Sequence, residues 1–190
     1  MEKIFRIFSK EYVNINQAAF LLGSFAFLSQ ILGLFRDRSF AHFIGPSPLL
    51  DIYYAAFRVP DLIFISVASL ASVTVLIPFI VGRMNDGQVT EKARKFLNDV
   101  FSIFLLSLIV VSLLAFILMP LLVHLIAPGF DSAMQSKLIN VSRIMLLSPI
   151  LMGLSNLFGT ITQLFRKFFI YSISPVFYNV GIIIGILFFL

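Results

Sequence analysis

Residues 100–130 read VFSIFLLSLIVVSLLAFILMPLLVHLIAPGF, without a single Asp, Glu, Lys or Arg. A helix needs roughly 20 apolar residues to cross a hydrocarbon core of about 30 Å, and this run exceeds that. Lipid offers no partner for backbone N–H and C=O groups, so such a run must satisfy them internally as a helix. Ala127-Pro128-Gly129-Phe130 closes it, because Pro and Gly both interrupt helical hydrogen bonding. Four further uncharged runs lie on either side, at residues 12–35, 62–82, 144–165 and 168–190. The pattern predicts an all-α, polytopic membrane protein. Residues 1–190 form a single transmembrane domain of about five helices, with spans near 13–35, 52–81, 100–126, 140–165 and 168–190.

The composition agrees. Apolar residues make up 59% of the chain and charged residues 12%, with a mean hydropathy of +1.02. Soluble domains run nearer 45–50% apolar and about 25% charged. There is no Cys, so disulfides and thiolate metal sites are excluded. Trp is also absent, which leaves interfacial anchoring to Tyr, Lys and Arg. The net charge of +5 reflects basic residues at the ends of apolar runs, so it reads as membrane topology and not as a nucleic-acid surface.

Lys and Arg also set the orientation. Lys3, Arg6 and Lys10 precede the first run. Arg83, Lys92, Arg94 and Lys95 lie between the second and third, and Arg166 and Lys167 between the fourth and fifth. If all five runs span, these segments share one side, and the positive-inside rule places them, with the N-terminus, in the cytoplasm. The first run is expected to be a retained helix, since no small-x-small cleavage site follows it. Asn85-Asp86-Gly87 signals a turn. Thr90, followed by Glu91, is a candidate N-cap for the third helix.

The first connection breaks the charge pattern. Arg36, Asp37, Arg38, Asp51, Arg58 and Asp61 crowd the outer end of the first two helices. Arg58 and Asp61 are three apart and share a helical face, and Pro60 should kink the second helix. An ionisable group at membrane depth is costly unless paired or hydrated. Two readings of the cluster stand. One is an interfacial segment of solvated charges and structural ion pairs. The other is a hydrated cavity for an anionic ligand, in which Arg36 and Arg58 offer planar forks to phosphate oxygens while the carboxylates permit release. Ser29 and Gly33 make a small-x-x-x-small pair suited to helix packing. His124 is expected to bond backbone and not to relay protons. Gln30 and Asn156 are polar groups inside spans. No metal-ligand spacing, no nucleophile with a base and no phosphate loop is present, so neither an enzyme nor a cofactor is expected.

The stretch Ser29-Gln30-Ile31-Leu32-Gly33-Leu34-Phe35-Arg36-Asp37 resembles the first-helix motif Ser-Arg-x-Leu-Gly-x-x-Arg-Asp of the MviN/MurJ family. The resemblance continues through Gly45, Asp51, Ala56-Phe57-Arg58-Val59-Pro60-Asp61-Leu62 and Pro78. It resumes at Ala127-Pro128-Gly129-Phe130, Ser174-Pro175-Val176, Asn179 and Val180. It implies a transporter of about fourteen helices in two lobes around a cationic cavity, of which this chain supplies most of one lobe. It also implies a flippase for lipid II, the undecaprenyl-pyrophosphate-linked peptidoglycan precursor, in the bacterial inner membrane. The expected partners are that lipid-linked glycan pyrophosphate, membrane lipids and a second lobe or partner chain, with no nucleic acid. Arg36, Asp37, Asp51, Arg58 and Asp61 would bind substrate and gate. The chain departs from the family pattern at Gln30, Phe64 and Ile65, where family members carry Arg, and at Ser69 and Leu70, where they carry Glu-Gly. The match covers roughly the first third of such a transporter, so a truncated chain is expected. Export of another lipid-linked glycan, or a scaffold role without transport, remain as alternatives.

Overall fold

The computed structural model describes residues 14–68, 82, 84–85 and 88–189. Six helices fall in this range: α1 (Ile15–Phe43), α2 (Pro48–Ala68), α3 (Glu91–Ile126), α4 (Ser132–Met145), α5 (Leu147–Leu164) and α6 (Phe168–Phe189). A short antiparallel ladder precedes α3, β1 (Met84–Asn85) on β2 (Gln88–Val89), pairing Asn85 with Gln88. Asp86 and Gly87 of the expected turn lie outside the described residues. So do Lys3, Arg6, Lys10, Arg83, Pro78 and the part of the second span beyond Ala68. Among the described residues, four helical stretches are long and apolar enough to cross a membrane: Ile15–Phe43, Glu91–Ile126, Ser132–Leu164 and Phe168–Phe188. Their outer faces are apolar, with Phe20, Phe27, Leu34, Leu125 and Phe188 all largely exposed. Those side chains suit lipid, where they lose nothing by facing outward.

Helix ends follow local chemistry. Asn14 caps α1 by accepting from Asn16 N at 3.0 Å. Thr90 caps α3 as expected, its Oγ1 accepting from Ala93 N at 3.2 Å, with Glu91 in the first turn. Ser47 and Pro48 open α2, with Pro at the first helical position, where its missing N–H costs nothing. α3 stops at Ile126 before Pro128-Gly129. Asp131 then caps α4, accepting from Met134 N at 2.7 Å.

Three boundaries differ from the sequence reading. α1 does not end at Phe35 but carries Arg36, Asp37 and Arg38 within its last turns and runs to Phe43, where Gly45, at φ +65°, and the following Pro46 end the ladder. Charge alone does not break a helix, whereas that backbone conformation does. The fourth apolar stretch begins at Ser132, not near residue 140, because Asp131 nucleates it. That stretch is interrupted at Leu146. Pro149, in the first turn of α5, has no N–H for the Met145 carbonyl, which accounts for the break.

The turn between α5 and α6 is a Schellman motif: Lys167 N donates to Thr162 O at 2.8 Å and Arg166 N to Gln163 O at 2.9 Å. The left-handed position is filled by Arg166, at φ +56°, and not by glycine.

The chain divides into two compact units, residues 1–50 with 158–190, and residues 51–157. In the first, α1 packs along α6, and Phe25 meets Phe169 edge to face at 5.4 Å. Gly159 allows Tyr171 to approach, since a Cβ there would lie 2.9 Å from Tyr171 Cδ2. In the second, α3 pairs with α4. α3 buries Phe104, Leu108, Ser112, Ala115, Met119 and Val123, a stripe at steps of three and four that marks one face. Gly153 of α5 abuts that stripe, where a Cβ would overlap Leu108. α2 buries Ile52, Ala55, Ala56, Val59, Ile63 and Val67 at similar spacing.

Candidate functional site

Ser29, Gly33 and Arg36 recur at steps of four and three, so α1 presents them on one face. Opposite them on α6 stands Asn179, buried to 7% exposure. Its amide nitrogen donates to Ser29 Oγ (3.0 Å), Ser29 O (3.2 Å) and, within its own helix, Pro175 O (3.1 Å). Two N–H groups thus serve three acceptors. Its Oδ1 accepts from an Arg36 guanidinium nitrogen at 3.1 Å. A Cβ on Gly33 would sit 3.9 Å from that same Oδ1, in ordinary van der Waals contact, so Gly33 lies beside the Asn179 amide. The expected small-residue packing pair thus borders a polar bridge.

Arg36 also turns along its own helix. Its Nε donates to Asp37 Oδ1 at 2.9 Å, and a terminal nitrogen forms an ion pair with the same oxygen at 2.9 Å. The Arg36 side chain is 27% exposed and that of Asp37 54%. A pair this open contributes little to stability, on the order of 0–1 kcal/mol. What it does is aim the guanidinium, leaving it half-buried beside Asn179 while its carboxylate partner faces outward. Arg38 is exposed.

Asp51, Arg58 and Asp61 belong to the second unit. Asp51 is exposed in the first turn of α2, where a negative charge is favoured by the helix dipole. Arg58 donates to Ile126 O at 3.0 Å, satisfying a carbonyl at the end of α3 that has no partner in its own helix. A cation at a helix C-terminus is also electrostatically favourable. Asp61 is exposed and, among the described residues, forms no ion pair with Arg58.

Three residues that the sequence reading passes over or weighs lightly carry much of the polar structure. Asn179 enters that reading only as a motif match; an amide inside an uncharged, membrane-crossing stretch is its signal. Arg143, on α4, donates from Nε to Phe116 O at 3.2 Å and stacks over the Phe116 ring at 4.7 Å. Its signal is a lone Arg entering an apolar run. His124 Nδ1 bonds Pro120 O at 2.7 Å, the backbone role expected for it, which fixes the proton on Nδ1. Gln30 is exposed and Asn156 half-buried. No group of three or more metal-ligating residues occurs among the described residues.

The family described as lipid II flippase MurJ matches residues 40–190. The chain is 32% identical over 177 residues to a probable lipid II flippase MurJ of Rickettsia prowazekii, covering 91% of this chain and 34% of that protein. It is 27% identical over 179 residues to a counterpart in Buchnera aphidicola subsp. Schizaphis graminum, with 93% and 35% covered. To the lipid II flippase MurJ of Thermosipho africanus it is 29% identical over 161 residues, with 84% and 32% covered. No solved structure matches the chain. The chain spans about a third of the length of these curated relatives. An overlap of 91% of the chain takes in the Ser29–Asp37 stretch, which lies ahead of the family match. With membrane-crossing helices, the first-helix motif and the family match all on one chain, this protein belongs to the MurJ lipid II flippase family.

Proposed function

We propose that this chain forms the opening portion of a flippase that carries lipid II, the undecaprenyl-pyrophosphate-linked peptidoglycan precursor, across the bacterial inner membrane. Its N-terminus is cytoplasmic, and a second lobe or partner chain completes the transport path. Arg36, Asp37, Asp51, Arg58 and Asp61 contribute to substrate binding and gating. The carrying observation is the arrangement of Arg36 within the family motif: a half-buried guanidinium, aimed by Asn179 and held on its outer side by Asp37. A pyrophosphate is a better bidentate partner for that fork than one carboxylate oxygen. Asp37 then has two roles, occupying the fork when cargo is absent and competing for it at release. This is transport without bond chemistry.

The test begins by reading the source DNA past the codon for Leu190. The complete gene product is then supplied to a bacterium depleted of its own lipid II flippase. Growth should be restored, and Arg36→Ala and Asp51→Ala should abolish it while membrane insertion is kept. Normal growth with both variants would refute the assignment. One observation favours a second reading. Where family members carry cations, this chain has Gln30, Phe64 and Ile65, and Ile65 is 67% exposed. A product that inserts fully yet never restores growth would point to export of another lipid-linked glycan, or to a scaffold.

A further inference from the structure

Pro120 sits within α3, and a proline has no N–H for the carbonyl four residues back. That carbonyl is Phe116 O, and a neighbouring helix satisfies it: Arg143 Nε of α4 donates to it at 3.2 Å, with the guanidinium 4.7 Å above the Phe116 ring. Arg suits this position because its Nε–H is fixed in a plane that can both donate and stack. Beyond Pro120 the last turn of α3 is held at its tip by Arg58 of α2 on Ile126 O. One turn past the proline, His124 closes onto Pro120 O at 2.7 Å. The segment 121–126 is thus fastened by an arginine from α4 at its base and another from α2 at its end, all within one compact unit.

We propose that Pro120 is a hinge in α3 and that Arg143 is its latch, a positioning residue that sets the direction in which residues 121–126 leave the proline. While Arg143 serves Phe116 O, α3 is tied to α4 at the proline and the segment continues along the α3 axis. When Arg143 lets go, Phe116 O loses its donor, the helix at Pro120, already one rung short, loses that tie, and the segment pivots. Phe116 lies ten residues before the end of α3, about 15 Å along the axis, so a small rotation there displaces the tip substantially. The inference is independent of what is transported.

The test is a double-mutant cycle on the full chain in bilayer vesicles. R143M should lower the ratio of folded to unfolded protein by about tenfold or more, the usual scale for losing a charged hydrogen bond. In a P120A background, the alanine supplies the missing backbone N–H to Phe116 O, and the same change should cost less than about threefold. Equal losses in both backgrounds would overturn the proposal and leave Arg143 as ordinary packing. A second measurement holds even if P120A does not fold. The chain has no Cys, so spin labels can be placed at Ile109→Cys and Leu125→Cys, both exposed and about 24 Å apart along the helix. R143M should broaden that distance distribution about twofold; a distribution that superimposes on the original overturns the hinge.

Discussion

Replacing Asn179 with Leu tests the bridge between α1 and α6, because Leu keeps the branched shape and removes every polar contact. Not all four bonds count equally. Ser29 O and Pro175 O lie inside helices, where the backbone ladder still serves them after the amide is gone. The real losses are the Arg36 bond to Oδ1 and the Ser29 hydroxyl bond to Nδ2. A bond to a charged group is worth roughly 1.5–3 kcal/mol and a neutral one about 1. Arg36 is 27% exposed and keeps Asp37, which places its loss at the low end. The total is about 2–3 kcal/mol, or roughly 30- to 160-fold in the folded-to-unfolded ratio. Unfolding in detergent, followed by helical circular dichroism, would read it. Ser29→Ala should cost about 1 kcal/mol alone and close to nothing once Asn179 is Leu, since the two share one bond. If Asn179→Leu is as stable as the parent, the bridge is not what joins these helices. If the two substitutions simply add, Ser29 and Asn179 do not share a bond and the geometry is wrong.

Other expectations follow from close contacts and backbone strain. Gly153→Ala places a Cβ into the fully buried Leu108. The gain in helix propensity is about 1 kcal/mol, overpacking costs about 1–3, and so thermal stability should fall. Gly181→Ala, with open space around it, is the control that should leave stability unchanged or raised. Arg166→Gly relieves a left-handed residue at φ +56°, worth roughly 1–2 kcal/mol, against about 0.5–1 for glycine's added freedom. The midpoint of thermal unfolding should rise slightly, and a fall would show that the Arg166 side chain holds the turn. Arg58→Ala should cost about 1 kcal/mol through the lost cap on Ile126 O, seen as reduced membrane abundance.

The fold class was legible because apolar runs in a membrane protein leave only helix as a solution, and lengths between charged residues mark the spans. The ends were less legible. A count of uncharged residues stops α1 at Phe35, but a helix continues until its backbone is broken, and the break is at Gly45-Pro46. Asp131 follows a Pro-Gly breaker and falls in an expected connection, yet its carboxylate opens α4. In the candidate site, the Arg36–Asp37 neighbourhood could be seen from composition, and the Ser29–Gly33 pair from spacing. Asn179 as their partner could not, because it is more than 140 residues away and no periodicity links two helices so far apart. Arg143 was hidden for a different reason. Its partner is a backbone carbonyl, freed by a proline on another helix, and backbone acceptors leave no mark in a sequence.

Arg36, Arg58 and Arg143 are held by different kinds of acceptor, and that difference bears on which of them can meet a cargo. Arg58 and Arg143 each donate to a main-chain carbonyl, Ile126 O and Phe116 O, that its own helix leaves without a donor. Taking either arginine away strands a polar group in an apolar setting, at roughly 1–3 kcal/mol. A phosphate that drew such an arginine to itself would carry that cost. Arg36 is held by at least two side chains, the Asn179 amide oxygen and the Asp37 carboxylate. Asp37 is 54% exposed, so it can exchange Arg36 for water at little cost. Arg36 can therefore exchange Asp37 for a phosphate while keeping its bond to Asn179, whereas Arg58 must release Ile126 O to do so and Arg143 holds Phe116 O. Under the proposed transport role, Arg36→Ala should cut transport far more than it cuts abundance, the lost bond to Asn179 accounting for the latter, while Arg58→Ala should lower abundance and transport by similar factors. The opposite pattern would mean that the cargo is met at the end of α3.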